Sequence, residues 1–140
     1  MKVVFTPGLY SGNKKIDGQH IHMFEMANQM IGVIEAGVSG EELVQQANEF
    51  ADYVVYHTVD EDLFMNETSY PKRYEHKKKH EEIRRKAREL MERLTETDDM
   101  EEMKFTVLEF VVDYALGHIK EYDLEMTEFF NIRLAMNSML

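Results

Sequence analysis

The sequence predicts an all-α protein, an antiparallel up-down-up-down four-helix bundle. Three observations carry this. Four long segments repeat apolar residues at steps of three and four, the helical period. The breaks between them are short, which makes consecutive helices antiparallel neighbours. Glycine and proline are scarce, 7 and 2 of 140 residues, which argues against a many-turned β protein. The chain reads as one domain over 1–140, with an N-terminal arm to 15, a bundle over 16–130 and a tail over 131–140.

The first helix opens near Asp17, an acceptable N-cap, and runs to about Glu35 with Met23, Phe24, Ala27, Ile31 and Ile34 on its apolar stripe. Ala36 to Gly40 is a break, and Ser39 with Glu42 forms a capping-box pattern that starts the second helix. That helix carries Ala47, Phe50, Ala51, Val54, Phe64 and Met65 on one side. Pro71 sits where the first turn of the third helix is expected, ahead of Ile83, Ala87, Leu90, Met91 and Leu94. After a polar break over Thr95 to Asp99, the fourth helix runs from about Met100 to Phe130 with Leu108, Val111, Val112, Ala115 and Ile119 inward. The tail from Asn131 is apolar enough to be expected to pack on the bundle.

Composition excludes several functions. Twenty-seven acids against sixteen bases give a formal charge of −11, so the chain is a poor binder of nucleic-acid phosphates. There is no cysteine, hence no disulfide, thiolate nucleophile, iron–sulfur cluster or Cys-type zinc site. The N-terminal apolar run is too short for a signal peptide, and the most apolar stretch, Phe105 to Ile119, is interrupted by Glu109 and Asp113, so no membrane span is expected. The expected location is the cytoplasm.

The histidines break the pattern. His20 leads Phe24, Ala27 and Ile31 at steps of four, three and four. His57 falls three after Val54, and Glu61 four after His57. His76 and His80 lead into Ile83 and Ala87, and His118 follows Val111 and Ala115 at the same kind of step. Five histidines and one glutamate therefore occupy core positions, while His22 points away. A buried polar group without a partner costs about 1–3 kcal/mol. A lone inward histidine is ordinarily hydrogen-bonded to a neighbour; five together with a glutamate are better explained by a metal, which satisfies imidazole and carboxylate lone pairs at once. The i, i+4 pairs His57/Glu61 and His76/His80 present two ligands on one helical face. The carboxylate-rich ferritin-like pattern is excluded, because no Glu-x-x-His occurs. Imidazole suits iron, zinc, copper or nickel alike.

These residues resemble a known family. Ile16-Asp17-Gly18-Gln19-His20 with Phe24 and Asn28, then His57-x-x-x-Glu61 with Met65, Tyr70-Pro71, His76-x-x-x-His80, and His118-Ile119-x-x-x-Asp123 are similar to the helix motifs of the haemerythrins, particularly the bacterial ones. The resemblance covers about residues 16 to 123. It implies a non-haem di-iron centre: His76, His80 and His118 on one iron, His20 and His57 on the other, Glu61 and Asp123 bridging both, and an oxo or hydroxo bridge from solvent. The two-histidine iron would keep an open position for dioxygen. Asp123 conflicts with simple geometry, since five residues from His118 is about 140° around an ideal helix. By spacing Glu121 and Glu125 compete; the family motif selects Asp123, reached from the edge of the apolar face or through a π-bulge.

The family usually carries Trp-Leu four and three residues before the fourth-helix histidine, where this chain has Tyr114 and Ala115. Ala115 is expected to open the pocket, and a wetter pocket speeds autoxidation. The leading functional reading is a binding protein for oxygen storage, delivery or sensing. With no appended signalling domain, a carrier or a single-domain sensor with a separate partner is expected. The alternative is a di-iron redox enzyme reducing peroxide, oxygen or nitric oxide. A third, plainer reading is a metal-free bundle with a polar core. The bases from Lys72 to Arg88 give the third helix a basic face, read as a docking face for an acidic protein partner or, more plainly, as a solvated face paired with acidic neighbours. Tyr53, Tyr56 and Tyr122 are candidates to hydrogen-bond ligand imidazoles, and Met23, Met26, Met30 and Met126 read as core filling.

Overall fold

A computed structural model describes residues 2–37 and 39–139, with the side chains of 115 and 116 outside the description. The described residues form helices and no strand. They are α1 (Lys14–Ala36), α2 (Gly40–Glu67), α3 (Arg73–Glu96) and a fourth rod made of α4 (Met100–Val112), a π-helical segment (Asp113–Asp123) and α5 (Leu124–Ser138). A 3₁₀ turn, Pro7–Leu9, precedes them. α2 packs against α1 and α3, α3 against α4, and α1 against α4, which closes the four-helix bundle. Among the described residues no helix is long and apolar enough to cross a membrane.

Local chemistry sets the boundaries. Asn13, not Asp17, caps α1, accepting from the Ile16 backbone N–H. Asp17 lies inside the helix, where its carboxylate accepts from the Ser11 N–H and hydroxyl and the Gly12 N–H, tying down the N-terminal arm. Gly37 ends α1 in the left-handed conformation that glycine adopts most easily. Ser39 caps α2 as expected, accepting from the Glu42 N–H. Pro71 stands outside α3, because the Arg73 N–H already turns back to the Tyr70 carbonyl and the helix begins only there. Asp99 caps α4 by accepting from the Glu101 and Glu102 N–H groups.

The inward stripe of the fourth rod differs from the expected one. Met103, Val107, Phe110, Val111, Tyr114 and Ile119 are buried, while Leu108 and Val112 are only half-buried. The fourth helix also does not stop at Phe130. It continues to Ser138 with residues 131–139 exposed, so the apolar tail does not bury itself on the bundle. The N-terminal arm does pack: Val3 and Asn28 exchange two 2.8 Å hydrogen bonds, and the Thr127 hydroxyl reaches the Leu9 carbonyl at 3.4 Å.

Two apolar clusters fill the interior. The larger holds Met23, Ala47, Phe50, Val54, Ile83, Val107 and Tyr114; the smaller holds Met65, Tyr70, Met126 and Phe130. Along α2 the chain passes from Val54 through His57 and Glu61 to Met65, and from Tyr70, just before α3, it passes through His76 and His80 to Ile83. The polar residues thus form a layer between two apolar ones.

Candidate metal centre

Each helix contributes to that layer: His20 from α1, His57 and Glu61 from α2, His76 and His80 from α3, and His118 and Asp123 from the π segment. All seven side chains are buried, with His20, His57, Glu61 and His80 wholly so. They converge as two overlapping groups able to hold a metal ion: Glu61, His76, His80, His118 and Asp123 in one, and His20, His57, Glu61 and Asp123 in the other. Within each group the candidate ligand atoms lie within 4.8 Å of one another.

The two carboxylates divide their oxygens between the groups. Glu61 Oε1 lies 3.0 Å from His76 Nε2 and 3.1 Å from His80 Nε2, while its Oε2 lies 3.0 Å from His57 Nε2 and 3.2 Å from His20 Nε2. Asp123 Oδ1 lies 2.8 Å from His76 Nε2 and 3.0 Å from His118 Nε2, and its Oδ2 lies 3.0 Å from His20 Nε2. The π segment explains how Asp123 reaches this position. Hydrogen bonds from residue i to i+5 wind the helix more widely, so residues five apart share a face. The backbone N–H of Leu124, which bonds the Ile119 carbonyl, shows this register. Glu121, the competitor by spacing, is exposed, and Glu125 forms a surface ion pair with Lys72.

The donor set fits a cation. His76 and His80 each bring Nε2 within 3.2 Å of His118 Nε2, an arrangement in which paired imidazoles have at most one proton to share per contact. His57 Nε2, Glu61 Oε1 and Asp123 Oδ2 have no hydrogen bond with directional geometry despite neighbours at 3.0 Å. Burial alone disfavours charge on His20 and His76, but the carboxylates of Asp123 and Glu61 beside them push both up to about 10. Burial lowers His57 and His118. Burial would raise Glu61, yet the surrounding histidines, His57 foremost, hold it well below the usual carboxylate range. Asp123 is likewise held down by His118 and His20, against burial and the charge of Glu61.

Sequence reasoning missed the groups that orient the imidazoles. His57 Nδ1 lies 2.7 Å from Gln19 Oε1, and Gln19 Nε2 donates to Asp60 at 2.7 Å. His80 Nδ1 lies 2.6 Å from Asp62 Oδ1, and Arg84 donates to Asp62 and Thr58. A carbonyl or carboxylate on Nδ1 makes that nitrogen the donor, which leaves the Nε2 lone pair for a metal. Of the tyrosines considered for this role, Tyr56 bonds Asp60 behind Gln19, and Tyr53 packs its ring against His22. Tyr122 stacks on His118, with ring centroids 5.5 Å apart and planes 19° apart. Tyr114, one turn before His118, stacks on it at 5.7 Å and 8°. A cleft of about 260 Å³ between α3 and the π segment reaches His118, Tyr114 and Tyr122. The side chain of Ala115 lies outside the described residues. His22 is exposed, as expected.

Four bases of the basic face form ion pairs within the chain: Lys72 with Glu125, Lys79 with Glu82, Arg84 with Asp62 and Arg85 with Glu89.

The family model described as Hemerythrin HHE cation binding domain matches residues 11–129. No curated protein matches the chain.

Proposed function

The chain belongs to the haemerythrin family, and on that premise we propose that its cation site holds two iron ions and binds dioxygen, for oxygen storage, delivery or sensing. His76, His80 and His118 would hold one ion, His20 and His57 the other, and Glu61 and Asp123 would be shared between them. The observation that carries this reading is the split of each carboxylate, whose two oxygens face different histidines. The histidines divide three against two, so the second ion would have one protein ligand fewer. When bound, the iron pair would supply a place for dioxygen and one electron from each ion.

The chain does the rest. Burial of all seven side chains confines solvent access to the cleft beside His118. Gln19 and Asp62 fix the tautomers of His57 and His80. The apolar layers on either side hold the four helices at the spacing the ligands need.

Metal content and the optical spectrum, first under reducing conditions without air and then with air admitted, test the proposal. Two irons per chain and a visible oxygen-dependent band that reverses when oxygen is removed are the expected result. Less than one equivalent of metal after iron reconstitution would overturn it. One observation favours a second reading, reduction of peroxide, oxygen or nitric oxide: the cleft at His118 leaves the centre approachable from the side of α3. Two irons that oxidise in air without a reversible band, together with turnover on an electron donor, select that reading.

A further inference from the structure

Tyr114 is 2% exposed, and its hydroxyl oxygen has no hydrogen-bond partner among the described residues. An unpaired buried hydroxyl destabilises the fold. Phenylalanine would fill the same space without that cost, and the neighbouring aromatic positions, Phe50 and Phe110, are phenylalanines. The ring lies parallel to that of His118, which fixes the phenol against the histidine layer. The charges acting on the hydroxyl are those of Asp123 and Glu61, the two carboxylates shared by the histidine groups. The cleft that reaches His118 is also walled by Tyr114, so a small solute arriving at the centre from that side meets both residues. A buried donor needs an acceptor, and no described side chain provides one.

We propose that Tyr114 is the hydrogen-bond donor for a ligand of two or three atoms held at the metal centre: dioxygen in the function proposed above, on which this inference rests, and azide as its stable anionic probe. The phenol positions and polarises the ligand without itself touching the metal. Its ring packs both on His118 and on Phe50, which stands seven residues before His57 on α2, so the phenol adjoins both histidine groups.

The test compares the iron-loaded wild type with Tyr114→Phe. Iron is assayed first, and azide is then titrated optically and its vibrational band recorded in H₂O and D₂O. Both proteins are expected to hold two irons. Azide binds the variant about tenfold more weakly or worse, the loss expected for a hydrogen bond to a charged acceptor. The band shifts on deuteration in the wild type alone. In the metal-free proteins the variant melts at the same temperature or higher, since an unpaired hydroxyl has been removed. Full iron with equal azide affinity and equal isotope response overturns the role of Tyr114 and leaves the centre standing. So does a wild type that takes iron and no azide. A wild type that takes no iron overturns both. A variant with a lower melting temperature and unchanged azide binding makes Tyr114 a structural residue and overturns the proposal.

Discussion

His57 and His80 each carry a hydrogen bond on Nδ1 that decides what Nε2 is free to do. Gln19 and Asp62 accept those bonds at 2.7 and 2.6 Å. Losing such a partner ordinarily costs 10–100-fold in metal affinity, because the ring is no longer held in one tautomer and orientation. Gln19→Leu and Asp62→Ala are therefore expected to weaken iron binding by at least about tenfold in a chelator competition while the far-ultraviolet dichroism stays helical. Unchanged affinity in both variants would mean that packing alone orients the imidazoles. The ligands themselves were legible in the sequence, because a histidine on an apolar stripe contradicts its surroundings. Gln19 and Asp62 contradict nothing locally. Their meaning comes from a partner 38 residues away for Gln19 and 18 away for Asp62, which no periodicity records.

Among the elements, the π segment does what an α-helix of the same sequence cannot. With α-helical winding, Asp123 would stand about 140° from His118 and leave the layer with one carboxylate. Wound more widely, the two meet at 3.0 Å. Function therefore resides in a local departure from the regular element, as is common for π-bulges. Asp123→Ala is expected to abolish stable retention of the second metal ion, measured as iron per chain after gel filtration. Glu121→Ala, at an exposed position of the same segment, is expected to keep full iron and to change stability by no more than about 0.5 kcal/mol. Iron retained in the first variant and lost in the second would return the spacing argument to Glu121. The caps at Ser39 and the break at Gly37 were readable from residue type, as were the helices themselves. The start of α1 was not: Asp17 and Asn13 are both good caps, and the choice fell to Asn13 because Ser11 and Gly12 fold back onto the Asp17 carboxylate.

For the molecule as a whole, the polar layer sets four helices around buried charges, and its stability must depend on what neutralises them. In the metal-free chain His20 and His76 keep their protons up to about pH 10, against 6.5 for an exposed imidazole. Between those values the folded state binds more protons than the unfolded one, so stability falls as pH rises. The contribution is fully present below about pH 6.5 and is lost as pH rises through about 10. His80, also raised, acts in the same direction, and His57 and His118, lowered by burial, titrate below the window and do not oppose it. A metal ion replaces those protons. It binds the deprotonated rings, so its hold strengthens over the same range in which the metal-free fold weakens. At neutral pH, metal present at a hundred times its Kd stabilises by about 2.7 kcal/mol, which is on the order of 10 °C in Tm for a chain of this size. The gap in Tm between loaded and chelator-treated protein is expected to widen steadily from about pH 6.5 to about pH 9, read by calorimetry at fixed metal activity. His118→Ala should close that gap and lower iron content together. A gap that stays flat or narrows with rising pH would mean that the folded layer does not hold excess protons, and that its charges are balanced by hydrogen bonds alone.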